Sequence, residues 1–117
     1  MAFEHVLAVV PVSDIDKSNA WYEALFGRPA TNNPMPVLVE WQVTENGWVQ
    51  VTVDAARAGT GLVNFALDDL DAHIAELDAR GITAGEIVEA NKGVRLSAIE
   101  DPDGNVITLV GSFRVDY

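Results

Sequence analysis

Few side chains in this sequence could carry chemistry. There is no cysteine, which excludes disulfides, thiolate metal sites and cysteine nucleophiles, and the only histidines are His5 and His73. The chain contains no GxSxG elbow and neither of the glycine-rich loops, GxxxxGKS/T and GxGxxG, that cradle phosphates. The run GTG at Gly59–Gly61 is too short for that task. Nucleophilic and nucleotide-dependent chemistry are therefore not predicted.

Three ionisable side chains remain as general acids or bases: Glu40, Glu100 and His5. Acid–base catalysis needs a group held within hydrogen-bond reach of its substrate and tuned by its surroundings, and the sequence places no second group beside any of the three. His73 lies in a predicted helix, away from its apolar stripe, where exposure to solvent is expected. A metal-free acid–base enzyme is a hypothesis that the sequence does not favour.

The charge balance limits the classes of molecule that the protein is expected to bind. Eighteen acidic residues against seven basic ones give a formal net charge of −11, which repels nucleic acid and anionic lipid alike. We expect neither a nucleic acid nor a membrane as partner; the acidity serves solubility or attracts a cationic ligand. The apolar start of the chain lacks a basic flank and a cleavage site and is too short to span a bilayer, so a cytoplasmic protein is expected.

A weak internal duplication organises the chain. VSDID at 12–16 is echoed by LDDLD at 67–71, and each run opens a stretch that ends in glycine, at Gly27 and Gly81. Aspartates at these starts can cap a helix, Asp14 or Asp16 in the first copy and Asp68 or Asp69 in the second, and glycine is typical just past a helix end. Each stretch also carries an apolar stripe, so both are predicted to be helices with one buried face.

The segments around these helices have the composition of strands, being rich in valine, isoleucine, threonine and aromatics. The predicted strands cover 4–10, 36–44, 48–54, 62–67, 82–89, 94–100 and 106–112. Asn46-Gly47 predicts a two-residue hairpin turn, and 101–104 a four-residue turn. Each half is then a strand, a helix and two or three strands, joined by a hinge at 54–61.

This pattern resembles the vicinal oxygen chelate superfamily, which contains glyoxalases, bleomycin-resistance proteins and extradiol dioxygenases. The resemblance rests on VSDIDKSNAWYEALFG, ALDDLDAHIAELDARGI and EDPDGNVITLVG, in that order. It implies a single α+β domain of two βαβββ modules that form a sheet-walled cup, and commonly a homodimer. Module one covers about 1–56, module two about 60–112, and a C-terminal tail 113–117.

Enzymes of the superfamily hold a divalent metal in the cup, whereas its bleomycin-resistance members bind the drug without a catalytic metal. The resemblance places the four metal-ligand positions at Leu7, Gln50, Asn64 and Thr108. Leucine cannot ligate, and amides and a threonine hydroxyl are weak ligands beside imidazole and carboxylate. A slipped register at His5 would supply one ligand and leave the others missing. No metal and no other cofactor is therefore expected.

The predicted turns also predict which side chains line the cup, because directly paired residues share a face of a sheet. The first hairpin places Val39, Trp41, Val43, Trp48, Gln50 and Thr52 on one face. The other face holds Val49, Val51, Val53 and Leu38 against the first helix, together with Glu40, Gln42 and Thr44, which are less suited to that position. The second hairpin places Arg95, Ser97 and Ile99 beside Val106, Thr108 and Val110, with Ile107 and Leu109 packed behind. Core packing of the tryptophans and a surface salt bridge of Arg95 are the alternatives. The predicted ligand-binding residues are Leu7, Trp41, Trp48, Gln50, Asn64, Arg95 and Thr108.

The favoured function is metal-free binding of a small molecule, in the manner of a bleomycin-resistance protein that sequesters a drug or metabolite. The alternative is a metal-dependent lyase, isomerase or dioxygenase of the same superfamily with altered ligands. If the chain is an enzyme, the resemblance implies a glyoxalase-like lyase or a dioxygenase. A plain dimerisation module would instead fill its cup with its own side chains, such as Phe113, Val115 and Tyr117 of the tail.

Overall fold

The computed structural model describes residues 2–116, which contain two α-helices, one short 3-10 helix at Asn91–Gly93 and eight strands. Helix α1 spans Ile15–Phe26 and helix α2 spans Leu70–Ala79. The strands are β1 Val6–Val12, β2 Asn32–Met35, β3 Leu38–Thr44, β4 Gly47–Val53, β5 Leu62–Leu67, β6 Val88–Glu89, β7 Arg95–Glu100 and β8 Val106–Gly111. No helix within 2–116 is long and apolar enough to cross a bilayer.

The strands form two sheets of the same topology, ordered β1-β4-β3-β2 and β5-β8-β7-β6. The first strand of each module runs parallel to its last one, and the other pairings are antiparallel. Parallel neighbours need a crossover connection, which begins with the helix in each module. The predicted α+β fold of two βαβββ units is confirmed, and the sheets do not close into a barrel.

The helix boundaries follow the predicted caps. The Asp14 carboxylate accepts hydrogen bonds from the backbone N–H groups of Asp16 and Lys17 at 3.0 and 3.1 Å, and Asp69 accepts one from Ala72 at 3.0 Å. These bonds satisfy amides that a helix leaves unpaired in its first turn. At the other end of α1, Gly27 adopts a left-handed φ of 73°, which glycine reaches without steric cost.

Two strand predictions were wrong at the outer edges of the sheets. β2 was not predicted, because Asn32–Met35 lacks strand-forming residues and contains Pro34; an edge position tolerates a proline, which cannot donate to a neighbouring strand. The predicted strand at 82–89 shortens to Val88–Glu89. Before it, the backbone is held by side-chain and main-chain bonds, including one from Ser97 Oγ to the Gly85 carbonyl at 2.7 Å.

One hydrophobic cluster joins both modules. Its largest fully buried side chains come from α1, α2, β3 and β8, and include Tyr22, Trp41, Leu77, Ile107 and Leu109. Burying apolar area contributes about 25 cal/mol per Å², so this shared core supplies the main driving force for folding. The predicted positions of Ile107 and Leu109 behind the second sheet are confirmed by their exposures of 0% and 1%.

A buried polar network at Asp101 ties the β7–β8 connection to module one. The Asp101 carboxylate accepts from the Tyr22 hydroxyl at 2.7 Å, from Asn105 Nδ2 at 2.8 Å, and from the backbone N–H groups of Asp103 and Asn105 at 2.9 Å each. Asn105 Nδ2 also donates to the Pro11 carbonyl at 2.8 Å. Each polar group of this network is paired, as buried polar groups must be.

The Tyr22 hydroxyl makes the free energy of unfolding depend on pH in the alkaline range. Burial, and then the bond to Asp101, raise its pKa far above the ordinary value of about 10. The unfolded chain therefore releases this proton at lower pH than the folded chain, so the contribution is intact below about pH 10 and is lost as pH rises. Above about pH 10, we expect the free energy of unfolding of the native chain to fall by about 1.4 kcal/mol per pH unit through this group. The Tyr22→Phe variant lacks the hydroxyl and should not show this fall. Urea unfolding at about pH 9 and pH 11 measures this, and equal declines in both proteins would contradict it.

Candidate functional site

Each sheet has one face packed on the common core and one face turned away from it. We call the second kind the open faces. The open face of module one is formed by Leu7, Val9, Pro11, Leu38, Glu40, Gln42, Trp48, Gln50 and Thr52. The open face of module two is formed by Leu62, Asn64, Ala66, Leu96, Ala98, Glu100, Val106, Thr108 and Val110. These are the surfaces that the predicted cup requires.

Five of the seven predicted ligand-binding residues lie on these faces. On module one Leu7 is directly opposite Trp48, and Gln50 is two residues farther along β4. On module two Asn64 is directly opposite Thr108. Side chains opposite each other on neighbouring strands have Cβ atoms about 5 Å apart, so each pair can contact one small molecule. Their role in binding stays a prediction.

Trp41 does not lie on an open face, and its predicted placement was wrong. It pairs with Val49, is 0% exposed, and has its ring centroid 5.4 Å from that of Phe26. A bulge between Gln42 and Thr44 shifts the register by one residue, and such a shift turns every later side chain of the strand to the other face. The alternative reading of Trp41 as a core residue is the one observed.

Arg95 was also assigned to the wrong face. Glu100 pairs with Val106, so the connection has five residues and not the predicted four. The register of β7 against β8 is therefore shifted by one residue, and its side chains lie on the opposite faces from those predicted. The Arg95 guanidinium instead reaches α2, where Nη1 and Nη2 donate to the two Asp71 carboxylate oxygens at 2.9 and 3.2 Å. This contact lowers the pKa of Asp71 by hydrogen bonding and charge. Arg95 forms the salt bridge named as its alternative.

Glu40, named above as a candidate acid or base, lies on the open face and not on the helix side where the predicted register placed it. Its carboxylate lies half-buried on the open face of module one, where Oε2 accepts from Gln50 Nε2 at 2.8 Å and Oε1 from Asn32 Nδ2 at 3.0 Å. Two amide donors fix the orientation of this group. A signal was present in the sequence, because the predicted register buried Glu40 and Gln42 against a helix, and charged or amide groups are rarely placed there.

The electrostatics of the open faces are acidic. The charged side chains among their strand residues are Glu40 in module one and Glu100 in module two. Arg95 lies on the opposite face of its sheet, where it contacts Asp71. Trp48 adds an aromatic surface beside the strand end, and its ring meets the His5 ring edge to face at a centroid distance of 6.4 Å. This combination of aromatic and carboxylate groups suits a cation better than an anion.

The residues at the family's metal positions do not fit a metal. Leu7 cannot ligate, the Thr108 hydroxyl is a poor ligand, and Asn64 and Gln50 offer amide oxygens, which are weak ligands beside imidazole and carboxylate. Within residues 2–116 no group of three or more histidine, cysteine, aspartate or glutamate side chains is arranged to hold an ion. No catalytic step is derived through a metal.

Apolar side chains are unusually exposed on and beside the open faces. Leu7, Val9 and Leu62 are 52%, 56% and 80% exposed. Gln50 and Thr108 line neither of the two best-defined cavities of this copy. Phe113 and Val115 of the tail are 58% and 93% exposed and fill no cup; Tyr117 lies outside the described residues.

Comparison with solved structures identifies the fold. No family profile matches it, and no curated protein matches it by sequence. Among solved structures, a glyoxalase/bleomycin resistance protein from Catenulispora acidiphila is 28% identical, with a TM-score of 0.87 over 93% of this chain and 98% of that one. The chain has the glyoxalase/bleomycin-resistance fold, which is consistent with the vicinal oxygen chelate superfamily that its sequence resembles.

Other solved structures align over nearly the full chain. TnmS3, described as an antibiotic binding protein from a Streptomyces species, is 26% identical, with a TM-score of 0.75 over 95% of this chain and 98% of that one. A bleomycin-binding protein in complex with bleomycin is 19% identical, with a TM-score of 0.77 over 93% of this chain and 98% of that one. The latter identity shows the shared fold alone.

Proposed function

We propose that this chain binds a small cationic, partly aromatic molecule without a metal, in a cup that a second copy of the chain completes. The observation that carries the proposal is the make-up of the open faces, which hold exposed apolar side chains, Trp48, and the carboxylates of Glu40 and Glu100 without a lysine or arginine among their strand residues. Sparse polar groups on a largely apolar wall are typical of small-molecule sites.

The carboxylates define the charge of the ligand. Glu40 is held by two amides and keeps lone pairs free for a ligand donor, and the formal net charge of −11 enriches cations near the surface. An ammonium or guanidinium group can donate to a carboxylate while the rest of the molecule lies against Trp48. The known antibiotic-binding and bleomycin-binding relatives support small-molecule binding as the function class.

The second copy accounts for the exposed apolar surface. Val9 and Leu62 stand on open faces, and soluble monomers rarely leave contiguous apolar patches uncovered. Pairing the open face of one copy with that of another would bury these side chains and enclose the space that a single copy leaves open. A homodimer is the arrangement that closed symmetry favours.

A binding screen tests this proposal. The native protein is titrated with proflavine, a planar aromatic cation, and with naphthalene-1-sulfonate, a planar aromatic anion, by calorimetry and thermal shift. We expect the cation to bind at least tenfold more tightly, and the double substitution Glu40→Gln with Glu100→Gln to lose at least tenfold of that affinity. Glu86→Gln, an exposed carboxylate off the open faces, is the matched control.

Two further measurements on the same purified protein test the dimer and the metal-free site. Light scattering should give the mass of two chains, and nickel, zinc, manganese or ferrous iron should leave the melting temperature unchanged because Leu7 cannot ligate and the Thr108 hydroxyl is a poor ligand. A stabilising metal would favour a metal-dependent lyase, isomerase or dioxygenase instead. Preference for the anion, or unchanged affinity in the double variant, would overturn the cationic site.

A further inference from the structure

A cavity lies between the two modules, lined mainly by side chains from the core side of the sheets and from the helices. It has a volume of about 220 Å³ and takes its walls from both modules, with Phe26 and Val43 on one side and Phe65 and Leu67 on the other. We call it the junction cavity. An engineered protein cavity of about 150 Å³ binds benzene, so this one has room for a single aromatic ring with a small substituent.

The walls are shaped for a ring. Phe26 and Phe65 meet edge to face at a centroid distance of 5.7 Å and an interplanar angle of 86°. Leu25 and Leu109 are 2% and 1% exposed and form the buried floor. Aromatic pairs of this geometry present both a ring face and a ring edge to a third ring.

The mouth is basic in an acidic protein. Among residues 2–116, Arg28 and His73 are the ionisable side chains that line the cavity, and no carboxylate of that range lines it, although the chain has 18 acidic residues. Arg28 is exposed and donates to the Gln42 carbonyl from one nitrogen, which leaves further N–H groups of its guanidinium for a ligand. His73 was expected to be exposed, but its side chain is only 28% accessible.

From this juxtaposition we propose that the junction cavity binds a small aromatic carboxylate, with its ring packed against Phe26 and Phe65 and its carboxylate on the Arg28 guanidinium. A guanidinium and a carboxylate can form two parallel hydrogen bonds, which makes arginine the side chain suited to this recognition. His73 already has an acidic neighbour, because Glu76 Oε2, which does not line the cavity, lies 3.9 Å from His73 Nδ1. We therefore assign the recognition of the carboxylate to Arg28. The proposal is independent of what the open faces bind.

Amide chemical-shift mapping on the full chain tests the site, with benzoate as the probe and benzylammonium and toluene as its cationic and neutral counterparts. We expect benzoate to shift the amides of Phe26, Phe65 and His73 and to leave those of Trp48 and Gln50 in place. Benzylammonium should bind at least tenfold more weakly there. Shifts confined to the open faces, no binding, or equal binding of the cation would each overturn the proposal.

Two substitutions separate charge recognition from cavity shape. Arg28→Gln should weaken benzoate at least tenfold while toluene binding stays within twofold, and Val43→Phe should fill the space and remove both ligands. Arg57→Gln, whose side chain is 79% exposed and lies outside the cavity, should leave benzoate binding unchanged. Unchanged benzoate binding in both Arg28→Gln and Val43→Phe would refute the site even if either variant is less stable. The double variant at Glu40 and Glu100 should still bind benzoate, so the two sites can fail separately.

Discussion

Replacing Trp41 by alanine is expected to lower the free energy of unfolding by about 3–5 kcal/mol, the range for removing a fully buried large aromatic side chain. The ring is 0% exposed, packs against Tyr22 and Phe26 at centroid distances of 6.2 and 5.4 Å, and its Nε1 donates to the Arg28 carbonyl at 3.0 Å. Domains of this size have about 5–15 kcal/mol of stability, so the variant would retain only part of it.

Trp48→Ala is the matched control, because it removes the same side chain from the opposite face of the same sheet. Trp48 stands on the open face, and we expect a stability loss of less than about 1.5 kcal/mol together with weaker binding of the aromatic cation. Urea unfolding followed by circular dichroism, at two protein concentrations to separate folding from association, measures both variants. Equal losses would show that the faces have been assigned incorrectly.

Asp101→Ala is expected to lower the free energy of unfolding by about 3 kcal/mol or more, since four donors lose their acceptor and an unsatisfied buried donor costs about 1–3 kcal/mol. Asp101 is 5% exposed, so water cannot readily replace it. The exposed Asp68→Ala should change stability by no more than about 0.5 kcal/mol.

A double-mutant cycle with Tyr22→Phe isolates the contact between the modules. Because the Tyr22 hydroxyl donates directly to Asp101, the two losses should not add, and the coupling should be about 0.5–3 kcal/mol. Full additivity would mean that the stabilisation by Asp101 resides within its own turn and does not reach α1.

The elements of the fold could be predicted from sequence because their signals are local. Asp14 and Asp69 cap the helices that they were predicted to open, and the strand at Leu62–Leu67 has its predicted bounds. The site could not be predicted to the same depth, because the facing of a strand depends on register. One unpaired residue at Val43 buries Trp41 and exposes Glu40.

The second register error has a different physical origin. Asn105 was predicted to lie beyond the turn, yet it is 0% exposed and is bonded to Asp101 and Pro11, so it belongs to the connection. The position of Asn105 is determined by a hydrogen bond to Pro11 on a strand distant in sequence, and a local sequence pattern does not indicate such a bond. The junction cavity escaped prediction for the same reason, since Phe26 and Phe65 meet only after the modules pack.

The placement of the open faces opposite the shared core bears on how such a protein diversifies. The side chains that stabilise this fold, such as Val49 and Val51, alternate along β4 with those available to a ligand, such as Trp48 and Gln50. Selection for a new ligand can therefore act on alternate positions while leaving the intervening ones untouched, and the usual trade-off between activity and stability is reduced. Lineages with this architecture can exchange specificities over evolutionary time without first acquiring compensating mutations in the interior.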